Sequence, residues 1–184
     1  MKLENKLTKN NINEVIDKYL ECLKEINMNE FMEKMSKLNI LDYLTYLKRD
    51  SFNKGPYPDV SIFEASNRIM TDMVILNGIS ILLEGRYPNI NFSEYIVEYG
   101  NDRNLEHDIN AKENGYILHG EAFNVAPSFF QSKKTKALAK LRKNMIDNKT
   151  ISILLFNKDS VNIKYKPKLK NSEYFIPVEI NVKI

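Results

Sequence analysis

The stretch HGEAFNVAPSFFQSKKTKALAKLRK, His119–Lys143, changes period halfway along. Up to Ala126 its side chains alternate as in a strand, with His119, Glu121 and Phe123 on one face. From Pro127 the apolar positions Ala137, Leu138, Leu141 and Met145 recur at helical spacing, and Ser128 with Gln131 has the spacing of a capping box. A strand running into a helix is therefore predicted. Glu121 lies inside the strand half, where a carboxylate buried without a partner costs several kcal/mol or neutralises itself. It needs a salt bridge, a hydrogen-bonded niche or a metal ion.

Working upstream, FSEYIVEYG (Phe92–Gly100), NLEHDINA (Asn104–Ala111) and GYILHGEAFNVA (Gly115–Ala126) read as three consecutive strands. Asp102 and Arg103 separate the first two, and an Asn-Gly turn within Lys112–Gly115 makes the second pair a hairpin. Before them SIFE, Ser61–Glu64, has capping-box spacing and opens a helix with an apolar stripe at Ile62, Ile69, Met73, Leu76, Ile79 and Leu83, stopped by Gly85 and Pro88. Downstream, TISILLFN (Thr150–Asn157) is apolar enough for a buried central strand, and SVNIKYKP and YFIPVEINVKI are further strand candidates. SFNKGPYPD, Ser51–Asp59, is a loop. Ahead of it, Val15, Ile16, Tyr19, Leu20, Leu23 and Ile26 begin a set of helical stripes that continues to Leu47. The expectation is an α/β fold: an N-terminal helical segment, 1–50, packed on a core, 51–184, in the order α-β-β-β-α-β with a mixed sheet.

The 184 residues, 43% hydrophobic, suffice for one domain with a real core. One cysteine, Cys22, excludes an internal disulfide framework and a multi-cysteine zinc site. The polar N-terminus and the lack of a membrane-spanning apolar stretch point to a soluble cytoplasmic protein. The net charge of +3 is unevenly distributed: residues 127–184 carry 13 Lys and Arg against 4 acids, residues 1–126 carry 14 against 20. A basic C-terminal third suits a polyanion, although solubilising lysine accounts for the charge equally well.

In the hairpin Asp108 and Glu121 fall on one face of neighbouring strands. Two carboxylates that close repel unless a cation lies between them, and oxygen ligands of this kind suit Mg²⁺ or Mn²⁺. Lys133, Lys134, Lys136, Lys140, Arg142 and Lys143 then put six cations into eleven residues with no acid among them. Carboxylates beside a polycationic helix are arranged for a phosphodiester, and Lys134, Lys140, Arg142 and Lys143 are candidate nucleic-acid contacts. Lys164, Lys166, Lys168 and Lys170 would form a basic edge, more simply read as protection against edge-to-edge pairing.

This order of elements, with Asp108 on the second strand and Glu121 on the third, resembles the PD-(D/E)XK nuclease core of type II restriction endonucleases and many repair nucleases. EAFNVAPSFFQSK is similar to the E-x-K/E-x-Q segment and following turn of certain restriction enzymes. The resemblance spans roughly Ser61 to Asn157. It implies a restriction-endonuclease-like fold, hydrolysis of double-stranded DNA with Mg²⁺ or Mn²⁺, and Asp108 and Glu121 as metal ligands, joined by the carbonyl of Ala122. It also implies Glu64 as an additional acid, and a homodimer would suit double-strand cleavage. The family's lysine slot holds Phe123. Either Lys133 or Lys136 reaches in from the next helix, or His119 serves as the base, or the site is inactive and the chain is a nucleic-acid-binding or regulatory module.

Each residue also has a plainer reading. Glu121 could be one half of a buried pair with His119 or a lysine, Asp108 the end of a strand, and Glu64 a capping residue. His107 and His119 read as structural histidines. His119-x-Glu121 lacks the P-C-x-x-C of a deaminase. Phe129 and Phe130 read as core aromatics, with base stacking by either as the lesser alternative.

Overall fold

Six strands, Lys6–Thr8 (β1), Glu94–Val97 (β2), Ile109–Glu113 (β3), Tyr116–Phe123 (β4), Thr150–Asn157 (β5) and Glu173–Val178 (β6), pair in sequence order into one open sheet. The computed structural model describes residues 3–100, 105–143, 149–162, 165 and 168–180. β1 to β4 run antiparallel, whereas β5 and β6 add parallel to β4. The turn between β3 and β4 has Asn114 and Gly115 at φ 51° and 78°. Two successive positive φ values match the right-handed twist of a two-residue hairpin, which is why Asn-Gly stands there. A parallel neighbour needs a crossover, and helix α5 (Pro127–Lys143), between β4 and β5, supplies it.

Alternation along β5 divides the interior. Ile153 and Leu155 face one core with Leu118, Ala122, Ile176 and Val178 beneath helix α4 (Ile62–Leu83). Leu154 and Phe156 face a second core with Phe123, Phe130 and Ala137 of α5. Both faces of β5 are therefore dry, as its apolar run predicts. α4 comes so near the sheet that a Cβ on Gly78 would lie 2.4 Å from Leu155 Cδ1. The N-terminal helical region begins with α1 (Ile12–Lys24), whose Ile12, Val15 and Tyr19 belong to the α4 core. α2 (Met28–Met35) and α3 (Ile40–Arg49) bury no residue fully, and Phe31 instead packs against Tyr46 and Phe52, with ring centroids 6.1 and 5.5 Å away.

Several local expectations change. β3 starts at Ile109, so Glu106 and Asp108 precede the strand they were expected to share with Asn110. Local hydrogen bonds hold the chain bent there: Leu105 N–H donates to the Glu98 carboxylate at 2.7 Å, and the Asn110 amide donates to the His107 carbonyl at 2.9 Å. SVNIKYKP forms no strand among its described residues. Residues 158–160 make a 3-10 turn, held by Asn157 and by the Ser160 hydroxyl on the Val125 carbonyl at 2.6 Å. α5 begins at Pro127, ahead of the expected cap at Ser128, because proline suits the first helical position. Periodicity predicts no strand before Phe92, but Lys6–Thr8 pairs with β2. The positions of Asp102, Arg103, Asn104, Met145, Lys164 and Lys166 lie outside the described residues. Among the described residues no helix is long and apolar enough to cross a membrane.

Candidate active site

Asp108 stands one residue ahead of β3. Continuing the Ile109↔Gly120 register by one step sets it across from Glu121. The two side chains share a face, and Asp108 Oδ2 accepts the Ala122 N–H at 2.8 Å. Glu121 is buried on β4, where its Oε1 meets His107 Nδ1 at 2.7 Å and Lys140 Nζ at 2.7 Å. The partner of Glu121 is thus His107 together with a lysine from α5, not His119. Asp108 Oδ1 and Glu121 Oε2 accept no hydrogen bond among the described residues.

Asp108, Glu121 and Lys140 line a cavity of about 550 Å³. Its acids come from α4 (Glu64), the end of β2 (Glu98), the bend before β3 (Asp108) and β4 (Glu121), and its cations are Arg68, Lys133 and Lys140. Burial pushes the Asp108 carboxyl up to about 6, with the Glu121 charge adding to the shift. The Ala122 N–H, Lys140 and Lys133 oppose that rise. Burial thus disfavours the Asp108 anion in this cavity even with Lys140 and Lys133 beside it.

Glu64 lies at this cavity as well. Ser61 caps α4 by accepting the Glu64 N–H at 3.2 Å, but the Glu64 carboxylate pairs with Arg68 at 2.6 Å instead of reaching back to the cap. Lys133 lines the cavity, while Lys136 is exposed on α5. His119 lies apart, against Asn110 Oδ1 at 3.0 Å and tilted over His107 at a centroid distance of 4.7 Å, in a shallow depression of the sheet with Ile96. Burial and the neighbouring His107 hold its imidazole below the usual range. Among the proposed nucleic-acid contacts, Lys134 Nζ donates to Tyr165 OH at 2.7 Å and Arg142 is bound to Glu173, leaving Lys143 exposed at the end of α5. Phe123 also borders the cavity, but its ring is 2% exposed and packs against Phe130 and Phe156. Position 123 is apolar because that face of β4 helps build the core under α5.

Three contributors carry no sequence motif: Arg68, Glu98 and Asp72. Asp72 is fully buried and accepts hydrogen bonds from Tyr19 OH at 2.7 Å, from Tyr57 OH and from the Gly100 N–H at 3.1 Å. Burial pushes it up to about 6, against those bonds and the charge of Arg68. This carboxylate ties α1, the Ser51–Asp59 loop and the turn after β2 to α4. Gly100 is required in that turn: its φ is 68°, and a Cβ would lie 2.4 Å from the Tyr57 ring. Arg68 lies over the Tyr57 ring at 5.4 Å and touches both this knot and the cavity. A lone acid inside the apolar run IMTDMVILNG was the available signal for Asp72.

A second cavity of about 570 Å³ lies among α2, α3 and the Ser51–Lys54 loop. Its Lys34 pairs with Asp50 at 3.4 Å, both exposed, and it gathers no pair of buried acids. Among the described residues no group of three or more His, Cys, Asp or Glu side chains is placed to hold a metal ion. Comparison with protein-family models, with curated proteins and with solved structures finds no match to this chain.

Proposed function

We propose that this protein is a metal-dependent nuclease of the PD-(D/E)XK type, hydrolysing phosphodiester bonds in DNA. One observation carries the reading: Asp108 and Glu121 line one cavity with Lys133 and Lys140 of α5, close enough for the Glu121 charge to act on Asp108. The element order α4-β2-β3-β4-α5-β5 supports it. Mg²⁺ and Mn²⁺ are often held by one or two protein carboxylates and otherwise by water and substrate oxygens, so the donor set Asp108 Oδ1 and Glu121 Oε2 fits such an ion. When bound, the ion supplies Lewis-acid charge at the phosphodiester oxygens. The remaining roles belong to the chain. His107 orients Glu121 by its 2.7 Å contact, as an outer partner does for a ligating carboxylate. Lys140 neutralises part of the acid charge, and Lys133 takes the role of the relocated lysine beside the attacked phosphate, ahead of Lys136. Glu64 and Arg68 form the opposite wall.

The second reading, a nucleic-acid-binding module without activity, is favoured by Phe123 in the lysine slot and by the saturation of Glu121 Oε1. Supercoiled plasmid incubated with Mg²⁺ or Mn²⁺ separates the two. The nuclease should relax or linearise it, and Asp108→Asn and Glu121→Gln should each abolish cleavage while keeping binding in Ca²⁺. Wild-type protein that binds but does not cut with either ion leaves the binding module.

A further inference from the structure

Adjacent phenylalanines on α5 meet opposite fates. Phe130 is 4% exposed, with its ring centroid 5.1 Å from that of Phe156, whereas Phe129 is 66% exposed. At 3.6 residues per turn, Phe129, Lys133, Lys136, Lys140 and Lys143, spaced four, three, four and three apart, fall within an arc of about 80° on one side of the helix. The stripe is about 21 Å long. No acid interrupts it, since the sequence carries none between Glu121 and Asp147. Lys133 and Lys140 also line the cavity of Asp108 and Glu121, so the stripe runs directly past the candidate centre with an exposed aromatic ring at its first turn.

We propose that this face of α5 is a track for an unpaired nucleic-acid strand, with phosphates along Lys133, Lys136, Lys140 and Lys143 and a base stacked on Phe129. The proposal rests on the nuclease reading for its direction through the cavity and adds to it the substrate class: a strand single-stranded where it crosses the helix. The chemistry discriminates. A lysine row binds duplex and single strand alike, because both present phosphates. An exposed phenyl ring gains nothing from a duplex, whose base faces are already stacked, but it gains a stacking partner from an unpaired base. Lys134 and Arg142 lie off this face and are engaged by Tyr165 and Glu173; on the face itself Lys140 is also paired, to Glu121 at 2.7 Å, and would share its charge between that carboxylate and a phosphate.

The test measures binding in Ca²⁺, without cleavage, by fluorescence anisotropy. The probes are labelled oligo(dT) about 15 nucleotides long, an oligo(U) of the same length to tell a deoxyribose from a ribose strand, and a duplex of equal length. Phe129→Ala should weaken binding of the unpaired strand about tenfold, Phe129→Trp should retain it, and duplex affinity should stay unchanged. Lys136→Ala and Lys143→Ala should each lower the slope of log affinity against log salt by about 0.7 on the single strand, whereas Phe129→Ala should leave that slope alone. Equal affinity of wild type and Phe129→Ala for both single strands, or equal losses on strand and duplex, overturns the track. Plasmid cleavage without any Phe129 effect removes the track and keeps the nuclease. A Phe129 effect on strand binding without cleavage keeps the track and removes the nuclease.

Discussion

Lys140 and Arg142 stand two residues apart on α5, and each reaches a buried glutamate on a different strand. Arg142 meets Glu173, at the start of β6, through two parallel bonds of 2.6 and 2.8 Å, and the Lys170 N–H adds a third at 3.0 Å. Arg142 and then the Lys170 N–H hold the Glu173 carboxyl below the usual carboxylate range despite its burial. Lys140 meets Glu121 at 2.7 Å, but Asp108 faces the same space and is pushed up to about 6. One pair is charge-balanced and bidentate, while the other shares its lysine with a second acid. Similar ion pairs thus serve differently: the first ties α5 to β6, and the second lies beside an aspartate whose ionisation burial and the Glu121 charge disfavour.

The difference is broken most forcefully at Arg142. Arg142→Ala leaves Glu173, with its side chain 1% exposed, without its ion-pair partner. It should cost about 3 kcal/mol in urea unfolding, and a loss below about 0.5 kcal/mol would make the pair a surface ornament.

Asp108→Asn should move stability the other way. The amide oxygen keeps the Ala122 N–H bond, and the burial and repulsion penalties of the anion disappear, so stability at pH 7 should rise by about 1–2 kcal/mol. The same physics fixes a pH profile. Asp72 and Asp108 have folded-state values near 6, above those of an unfolded aspartate, so their ionisation penalties are complete above that pH and relieved as it falls. Melting temperature should rise more, or fall less, from pH 7 to pH 5 in wild type than in Asp108→Asn; His119, held below its usual range, pulls the other way in both because the unfolded imidazole takes up its proton first. Glu173 contributes no slope there, because its lowered carboxyl loses stabilisation only on further acidification. Equal slopes in the two proteins would contradict the shifted Asp108 carboxyl.

The smallest expected effect on stability sharpens the comparison most. Glu121→Gln removes an ion pair to a half-exposed lysine and at the same time relieves Asp108, so the net change should stay within about 1 kcal/mol. An NMR titration of Asp108 in that variant should have its midpoint below the wild-type value of about 6. An unmoved midpoint would mean that burial alone, without Glu121, sets the Asp108 shift.

Much of this was legible in the sequence, because period and turn chemistry are local. The alternation through Glu121, the Asn-Gly turn, the Ser61 cap and the apolar run of β5 fix element types with few long-range contacts. The acid-free lysine helix is read from composition alone, whereas Asp108, expected on the second strand, stands ahead of it and reaches the cavity of Glu121 from a bend. The reading of both phenylalanines as core fails at Phe129, which is 66% exposed, although a signal was there: Phe130 lies seven residues before Ala137 and shares its phase, whereas Phe129 shares that of Lys136. What distant segments bring together was decided by tertiary structure. Asp72 is enclosed by tyrosines 53 and 15 residues away. Arg68 and Glu98 reach the cavity from α4 and the end of β2. The choice of Glu121 by Lys140, and of Glu173 by Arg142, depends on how α5 is rotated on the sheet. Packing of Phe130, Ala137 and Leu138 sets that rotation, and a step of about 100° per residue sends neighbouring cations to different strands.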